Sequence, residues 1–337
     1  PGPRPPADPP ADASEAFEAH RRRLFALAYR MLGRVSEAED VVQDAFLRWL
    51  AADRAGVERP GAWLATAATR LCLDRLRAAR RARALYVGPW LPEPLPEGRD
   101  AAPEPVDPAP GPEESVAQAQ AVSVALMLAL DRLTPLERAA FLLHDVFGAG
   151  FAEVAATLGR SEPACRQLAS RARTRLRADR ADRADLSLPD RARPAPPPVP
   201  DPAAARVADA FFAALRSGDP AGLAAVLAED AALVTDGGGH ARAALNPILG
   251  ADRIRRFFAG IQAKRGAVPT VRTRRMAFND LPGELSEDAE GRLQTIALDL
   301  VPDPADPAGP PRVAAIYVTR NPDKLAHLRG LFPDAPA

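Results

Sequence analysis

The sequence predicts a multidomain protein, two all-α domains followed by a C-terminal α+β domain. Three observations carry that expectation. Pro-rich stretches cut the 337 residues into three blocks, and a chain of this length exceeds one ordinary core. In the first two blocks apolar residues recur at helical three-and-four spacing. The third block mixes helical patterns with strand-like runs, three of them gathered at its end, as an α+β domain does. The boundaries fall at 1–14 (a Pro-rich disordered tail), 15–87, 88–114 (linker), 115–184, 185–204 (linker) and 205–332.

In the first block Leu24, Leu27, Ala28, Met31 and Leu32 form one apolar stripe. Ser36 is expected to cap the next helix, with Glu37, Glu39 and Asp40 in its first turn, where carboxylates favour the helix dipole. Val41, Val42, Ala45, Phe46, Trp49 and Leu50 supply its buried face, while Asp40, Gln43, Asp44 and Arg48 point elsewhere. After a loop ending at Pro60, "AWLATAATRLCLDRLRAARRARA" reads as a third long helix, apolar first and basic later.

The second block opens a helix at Thr134, with Pro135 at its first position and Glu137 completing a capping box. A short helix, Ala152–Leu158, then meets Gly159 in a tight turn, and Ser161 caps a second helix from Glu162. This is the layout of a helix-turn-helix, whose second helix enters the major groove. Arg166, Gln167, Ser170 and Arg171 occupy its outer face, suited to base edges, and Arg173 and Arg175 suit phosphates.

In the third block "ARVADAFFAALRSGDPAGLAAVLAEDAAL" and "GADRIRRFFAGIQAK" read as helical, and "ALVTD", "TVRTRRMAF", "LQTIALDLV" and "VAAIYVT" as strands of a mostly antiparallel sheet. Ala297, Asp299 and Val301 alternate with Ile296, Leu298 and Leu300, so one face meets a core or cavity.

Lys+Arg and Asp+Glu number 44 each, so net charge is silent about partners. Its distribution is not. Arg70, Arg75, Arg77, Arg80, Arg81 and Arg83 crowd one segment and Arg160, Arg166, Arg171, Arg173, Arg175 and Arg177 another. Two basic runs in a neutral chain point to two contacts with one polyanion, the alternative being solvated helix faces. Cys72 and Cys165 stand alone on helical stretches and His is scarce, so no metal or cofactor is expected, and a reduced cytoplasmic protein is. No apolar run approaches 18 residues and no signal-peptide pattern is present, so neither a membrane span nor secretion is expected.

With those residues in view, the first two blocks resemble bacterial sigma factors of the extracytoplasmic-function group. "RLFALAYRMLGRVSEAEDVVQDAFLRWL" and "PGAWLATAATRLCLDRLRAARR" resemble sigma region 2, and the helix-turn-helix resembles region 4. The resemblance implies a non-enzymatic transcription initiation factor. Asp40, Gln43 and Asp44 would dock on the β′ clamp helices of core RNA polymerase, whose β subunit is a further expected partner. Trp63, Thr66, Thr69 and Arg70 would lie where the minus-ten element is opened, with Arg75, Arg77, Arg80 and Arg81 on the backbone beside it. Trp63 reads equally as a core residue. Arg166, Gln167, Ser170, Arg171, Arg173 and Arg175 would meet the minus-thirty-five element. The third block resembles the SnoaL-like cone that a subgroup fuses at its C-terminus, without a separate anti-sigma partner. "GPWLPEP" (88–94), "DGGGHAR" (236–242) and "NPDKL" (321–325) mark that subgroup. The path of 95–114 is left open.

The glycine run admits three readings. A phosphate cradle needs a helix directly after the glycines, and "HARAALNP" is not a helix start. An acid–base pair would use Asp236 and His240, with Asp299 near, but glycines hold such a pair loosely. As a contact surface, Gly237, Gly238 and Gly239 let another backbone approach. The stiff segment carrying Trp90, Leu91 and Pro92 is a fitting occupant, with Asn321, Pro322 and Asp323 beside it. The expectation is regulation in cis through this contact. The alternative is a small-molecule-sensing or acid–base catalytic cone with a pocket near Phe211 and Phe212, using the DNA-binding blocks as output.

Overall fold

The computed structural model describes residues 11–96, 124–185, 202–264 and 269–332. The tail before Ala11, residues 97–123 of the acidic linker and most of the second Pro-rich spacer lie outside the described residues. The chain divides into two units, Pro1–Arg81 with Leu133–Thr174, and Ala82–Arg132 with Arg175–Ala337.

The first unit begins with α1 (Ala11–Leu32), α2 (Val35–Ala51), a 3-10 turn (Arg54–Gly56) and α3 (Pro60–Ala84). Helix α1 starts inside the segment expected to be a disordered tail. Ala13 is buried, its carbonyl accepts from Trp49 Nε1 at 3.0 Å, and Phe17 packs on Phe46 with centroids 4.6 Å apart. The prolines of the tail end at Pro10, and "ADASEAFEA" that follows favours helix. The stripe of Leu24, Leu27, Ala28, Met31 and Leu32 is buried as its spacing implies. Helix α2 opens one residue before Ser36: Arg34 holds the N-cap position without a side-chain cap, and Ser36 lies in the first turn and caps nothing.

α4 (Val124–Asp131), though next in sequence, belongs to the second unit. The first unit resumes with α5 (Pro135–Phe141), whose capping box is complete: Thr134 accepts from the Glu137 amide and Glu137 accepts from the Thr134 amide. A π-helical turn (Leu142–Val146) leads to α6 (Phe151–Leu158). Gly159 takes φ 63° after it, a left-handed stop that glycine adopts without a Cβ clash. α7 (Glu162–Asp185) follows, with the Ser161 hydroxyl accepting from the Ala164 amide at 3.4 Å.

The second unit contains α8 (Pro202–Ser217), α9 (Pro220–Val226), β1 (Leu227–Asp236), β2 (Ile248–Leu249), α10 (Ala251–Lys264), β3 (Thr270–Phe278), β4 (Leu281–Asp288), β5 (Leu293–Val301), β6 (Arg312–Thr319), α11 (Pro322–Leu325) and a last 3-10 turn (Ala326–Leu331). The strands form one sheet ordered β2-β1-β6-β5-β4-β3, antiparallel except for the β1–β6 pair. The α+β class is as expected, with local corrections to the strands, of which the two-residue β2 is the smallest. Residues Leu227–Ala231, read as the end of a helix, begin β1. Strand β4 is also new. It returns from β3 through Asn279 and Asp280 at φ 52° and 62°, the paired positive values of a tight hairpin turn. Pro282 and Gly283 disguise it as a loop, yet a Cβ at Gly283 would meet the Phe278 ring at 2.9 Å, so the strand needs glycine there.

Both sheet faces are covered. Phe211, Phe212, Leu223, Ile254 and Phe258 of the helices pack with Leu233, Ile296, Leu298, Ile316 and Val318 on one face. On the other, Val234, Leu285, Ala297, Ala315 and Tyr317 pack with Leu325 and Leu328, and also with Leu91 of the linker and Val124 of α4. The α4 run "VALMLAL" is apolar on every side and buried almost throughout. Its place in this core divides the block expected at 115–184 between the two units.

Candidate functional site

Asp236, the last residue of β1, is fully buried, and three donors converge on its carboxylate. Tyr86 OH donates to Oδ1 at 2.5 Å, and the Leu91 amide and Lys324 Nζ donate to Oδ2 at 2.8 and 2.7 Å. The Asp236 carbonyl accepts from the amides of Arg320 and Asn321, tying the end of β1 to the end of β6. Lys324 also donates to the Leu91 carbonyl. Its ammonium lies 4.9 Å from the centre of the Tyr86 ring and 4.4 Å from that of Trp90, so two aromatic faces replace lost water. Asn321 caps α11 through the Asp323 amide and donates to Tyr86 OH at 2.9 Å. A buried carboxylate is tolerated only when paired and hydrogen-bonded, and this one is both.

The glycines serve this site by what they lack. A Cβ at Gly237 would strike the Ala241 carbonyl, and one at Gly238 the Asn321 amide, while Gly238 and Gly239 hold φ of 58° and 79°. Val87 lies against Gly239. The rest of the linker segment is fixed in order. His327 Nε2 contacts the Pro94 carbonyl at 2.8 Å, the Leu95 amide donates to Asn279 Oδ1, and the Asn279 amide donates to the Leu95 carbonyl. Pro96 then bridges to Phe278. The path of 95 and 96, left open by sequence, therefore follows the β3–β4 turn; the remainder to 114 lies outside the described residues.

Of the expected contact residues, Trp90, Leu91, Asp236, Gly238, Gly239 and Asn321 make contacts between the linker and the domain, and Pro92, Gly237, Pro322 and Asp323 adjoin them along the chain. His240 stands apart. Its side chain is 60% exposed and its Nε2 sits 3.8 Å from the exposed Asp323 carboxylate, so no Asp236–His240 acid–base pair exists. The pocket required by the sensing or catalytic alternative is filled: Phe211 and Phe212 are fully buried, their rings edge-on at 5.3 Å. Tyr86 was not singled out by sequence, and Lys324 only as part of the "NPDKL" run. A signal for Lys324 was present, since the chain uses Lys at only 264 and 324 among 44 basic residues. A compact ammonium suits this cage where a planar guanidinium does not.

The nucleic-acid and polymerase candidates lie in the first unit and on α7. Asp40 and Gln43 are exposed and Asp44 half-exposed on one face of α2. Arg75 donates to Asp40 and Asp44 at 3.2 and 2.9 Å, so it is held by α2 rather than presented to a phosphate. Burial opposes its charge, and those two carboxylates outweigh it, raising its pKa. Trp63 packs on Trp49 at 5.4 Å, and Thr69 is buried with its hydroxyl donated to the Ala65 carbonyl, a local bond that turns it away from any strand. Thr66 and Arg70 face α6: their polar atoms meet Thr157 Oγ1 at 2.8 Å and the carbonyls of Ala156 and Thr157. Arg77 pairs with Asp74, and the side chains of Arg80 and Arg81 lie outside the described residues. On α7, Arg166, Gln167, Ser170, Arg171 and Arg175 are exposed, Arg166 paired to Glu162, while Arg173 pairs with Asp145 at 2.7 Å. Among the described residues no cluster of metal-ligating side chains occurs, and no helix is long and apolar enough to cross a membrane.

Comparison with known proteins matches these parts. The profile of Sigma-70 region 2 covers residues 16–82 and that of Sigma-70 region 4 covers residues 123–176. The Mycobacterium tuberculosis protein "ECF RNA polymerase sigma factor SigJ" is 41% identical over 250 residues, 74% of this chain and 73% of that one. "Probable ECF RNA polymerase sigma factor SigI" from the same species is 39% identical over 169 residues, 50% of this chain and 55% of that one. The crystal structure of M. tuberculosis SigJ superposes with a TM-score of 0.64 at 34% identity, covering 93% of this chain and 98% of that one.

Proposed function

The chain belongs to the extracytoplasmic-function (ECF) RNA polymerase sigma factors, and from that premise we propose that its C-terminal α+β domain controls it in cis by holding the inter-region linker. A sigma factor is a transcription initiation factor and not an enzyme, working with core RNA polymerase on promoter DNA. The observation that carries the proposal is the buried Asp236, which binds the linker through Tyr86 OH and the Leu91 amide and the domain's own Lys324. The same domain also holds the first residues matched to region 4, because Val124 and Leu128 of α4 pack into its second core. The linker segment 86–96 and the opening helix of the region 4 match thus share one body. Burial of Leu91 alone contributes about 1.5–3 kcal/mol to that docking.

In this reading Asp40, Gln43 and Asp44 dock on the polymerase clamp, Thr66, Arg70 and Arg77 serve the minus-ten region, and Arg166, Gln167, Ser170 and Arg171 read the minus-thirty-five element. The exposure of the α7 face supports the last assignment. Control resides in the chain itself, without a separate anti-sigma factor, and the protein acts in the cytoplasm where polymerase works. The test is promoter-dependent run-off transcription by core polymerase with the Asp236→Asn/Lys324→Met chain, alongside a fluorescence distance between labels on α2 and α7. Several-fold lower transcription and an altered distance are expected. Unchanged values for both refute control through the linker.

A further inference from the structure

The first helix of the helix-turn-helix occupies the face of α3 that the minus-ten strand would need. Arg70 of α3 donates from Nε and Nη2 to the carbonyls of Thr157 and Ala156, at 3.1 and 3.0 Å. These are carbonyls of the last turn of α6, which lack partners inside their helix and carry its negative dipole end. Beside them Thr66 Oγ1 meets Thr157 Oγ1 at 2.8 Å. A second patch completes the seam. Buried Arg138 of α5 donates to the Met31 carbonyl in the last turn of α1. Arg23 donates to the Phe147 carbonyl at 2.7 Å, and the guanidinium groups of Arg23 and Arg30 stand 5.6 and 5.7 Å from the Phe147 ring.

We propose that α6 is an internal cover for the minus-ten face of region 2, so that the free chain is closed toward the minus-ten strand and open toward the minus-thirty-five duplex. The donors on Arg70 cannot serve α6 carbonyls and a DNA phosphate together. The base-reading side chains Arg166, Gln167, Ser170 and Arg171 on α7 take no part in the seam and stand exposed. The polar contacts of the seam are guanidinium–carbonyl bonds, cation–ring contacts, the Thr66–Thr157 bond and the Arg59–Glu153 ion pair, all of which water or phosphate can replace on opening. The cover is therefore reversible, and region 4 meets its element first. This inference rests on the assignment of Thr66 and Arg70 to the minus-ten region.

A full-length chain carrying Thr66→Cys and Thr157→Cys tests it, because sulfurs placed where the two hydroxyls touch are within disulfide reach. Both native cysteines are buried, and the parent chain under the same oxidant is the control. The pair is expected to oxidise readily. Run-off transcription with core polymerase is then at least tenfold lower than for the same double variant under reductant, while affinity for a minus-thirty-five duplex is the same in both redox states. Failure of the pair to oxidise, equal transcription in both redox states, or loss of duplex binding on oxidation overturns the proposal. Arg70→Ala in the parent chain separates the two ideas. If it transcribes normally while the oxidised pair is silent, the cover stands and the minus-ten role of Arg70 falls.

Discussion

Replacing Asp236 by Asn keeps the shape of the side chain and removes its charge, leaving the Lys324 ammonium buried without a counter-ion. The side chains of this pair are 0% and 3% exposed, so solvent cannot screen the loss. Breaking one partner of such a pair costs about 3–5 kcal/mol. Here the lower end applies, since the Leu91 carbonyl and the rings of Tyr86 and Trp90 still face the ammonium. A cost of about 3 kcal/mol is roughly two orders of magnitude in an equilibrium constant. The Leu91 amide, which donates to Asp236, reports it directly: its hydrogen-exchange protection is expected to fall by about a hundredfold. The thermal midpoint of the second unit should fall by roughly 6–12 °C. Lys324→Met should act similarly, and the double variant should cost clearly less than the sum, as residues in contact do. If Asp236→Asn leaves Leu91 protection and the midpoint unchanged, the buried pair does not hold the linker and the reasoning fails.

Other outcomes follow from neighbouring geometry. Lys324→Arg is not conservative here. A guanidinium cannot fit between the Tyr86 and Trp90 faces while reaching Asp236, so Leu91 protection should fall at least tenfold. Gly238→Ala forces a Cβ onto Asn321 at a left-handed backbone position, costing about 1–3 kcal/mol in calorimetry, while Gly260→Ala, in open space on α10, should be neutral or stabilising. Burial raises the Glu284 pKa above its ordinary 4.5, with Arg216 and Arg275 offsetting only part of the effect. Because the folded state holds that proton more tightly, the carboxyl's contribution is full below pH 4.5 and lost as pH rises through the folded value. The stability of Glu284→Gln relative to the parent should therefore grow from pH 4.5 upward; a gap independent of pH contradicts this. Arg171→Ala should weaken minus-thirty-five binding by about 1–3 kcal/mol if it reads a base, and lower the salt slope by about one if it meets only phosphate.

Much of this was legible from the chain alone, for physical reasons that differ by element. The Thr134–Glu137 capping box and the Gly159 stop are local devices, written within a few residues, and both are present. The linker contact was legible because glycines and a stiff aromatic-bearing segment imply each other. Strand β4 was hidden because Pro282 and Gly283 argue against a strand unless a neighbouring ring requires the space. The start of β1 was hidden because "LAEDAAL" has helical composition, and pairing with β6 overrides that preference. Tyr86 sits just ahead of the recognisable motif, and only its hydroxyl on Asp236 gives it meaning. The covering of Thr66 and Arg70 by α6 joins residues some ninety positions apart, which no local pattern encodes.

Pro96 and Val124 are both moored to the same domain, one on the β3–β4 turn and the other in the core. Both ends of the segment 97–123 are therefore held by one domain, the condition that loop-closure entropy describes. Doubling the length of such a loop costs only about 0.6 kcal/mol of closure entropy. Insertions or deletions there are therefore expected to change stability little. The acidic, Pro-rich residues 97–123 are thus where an engineer can lengthen, shorten or rewrite this protein at least cost while the two moorings on either side are held constant.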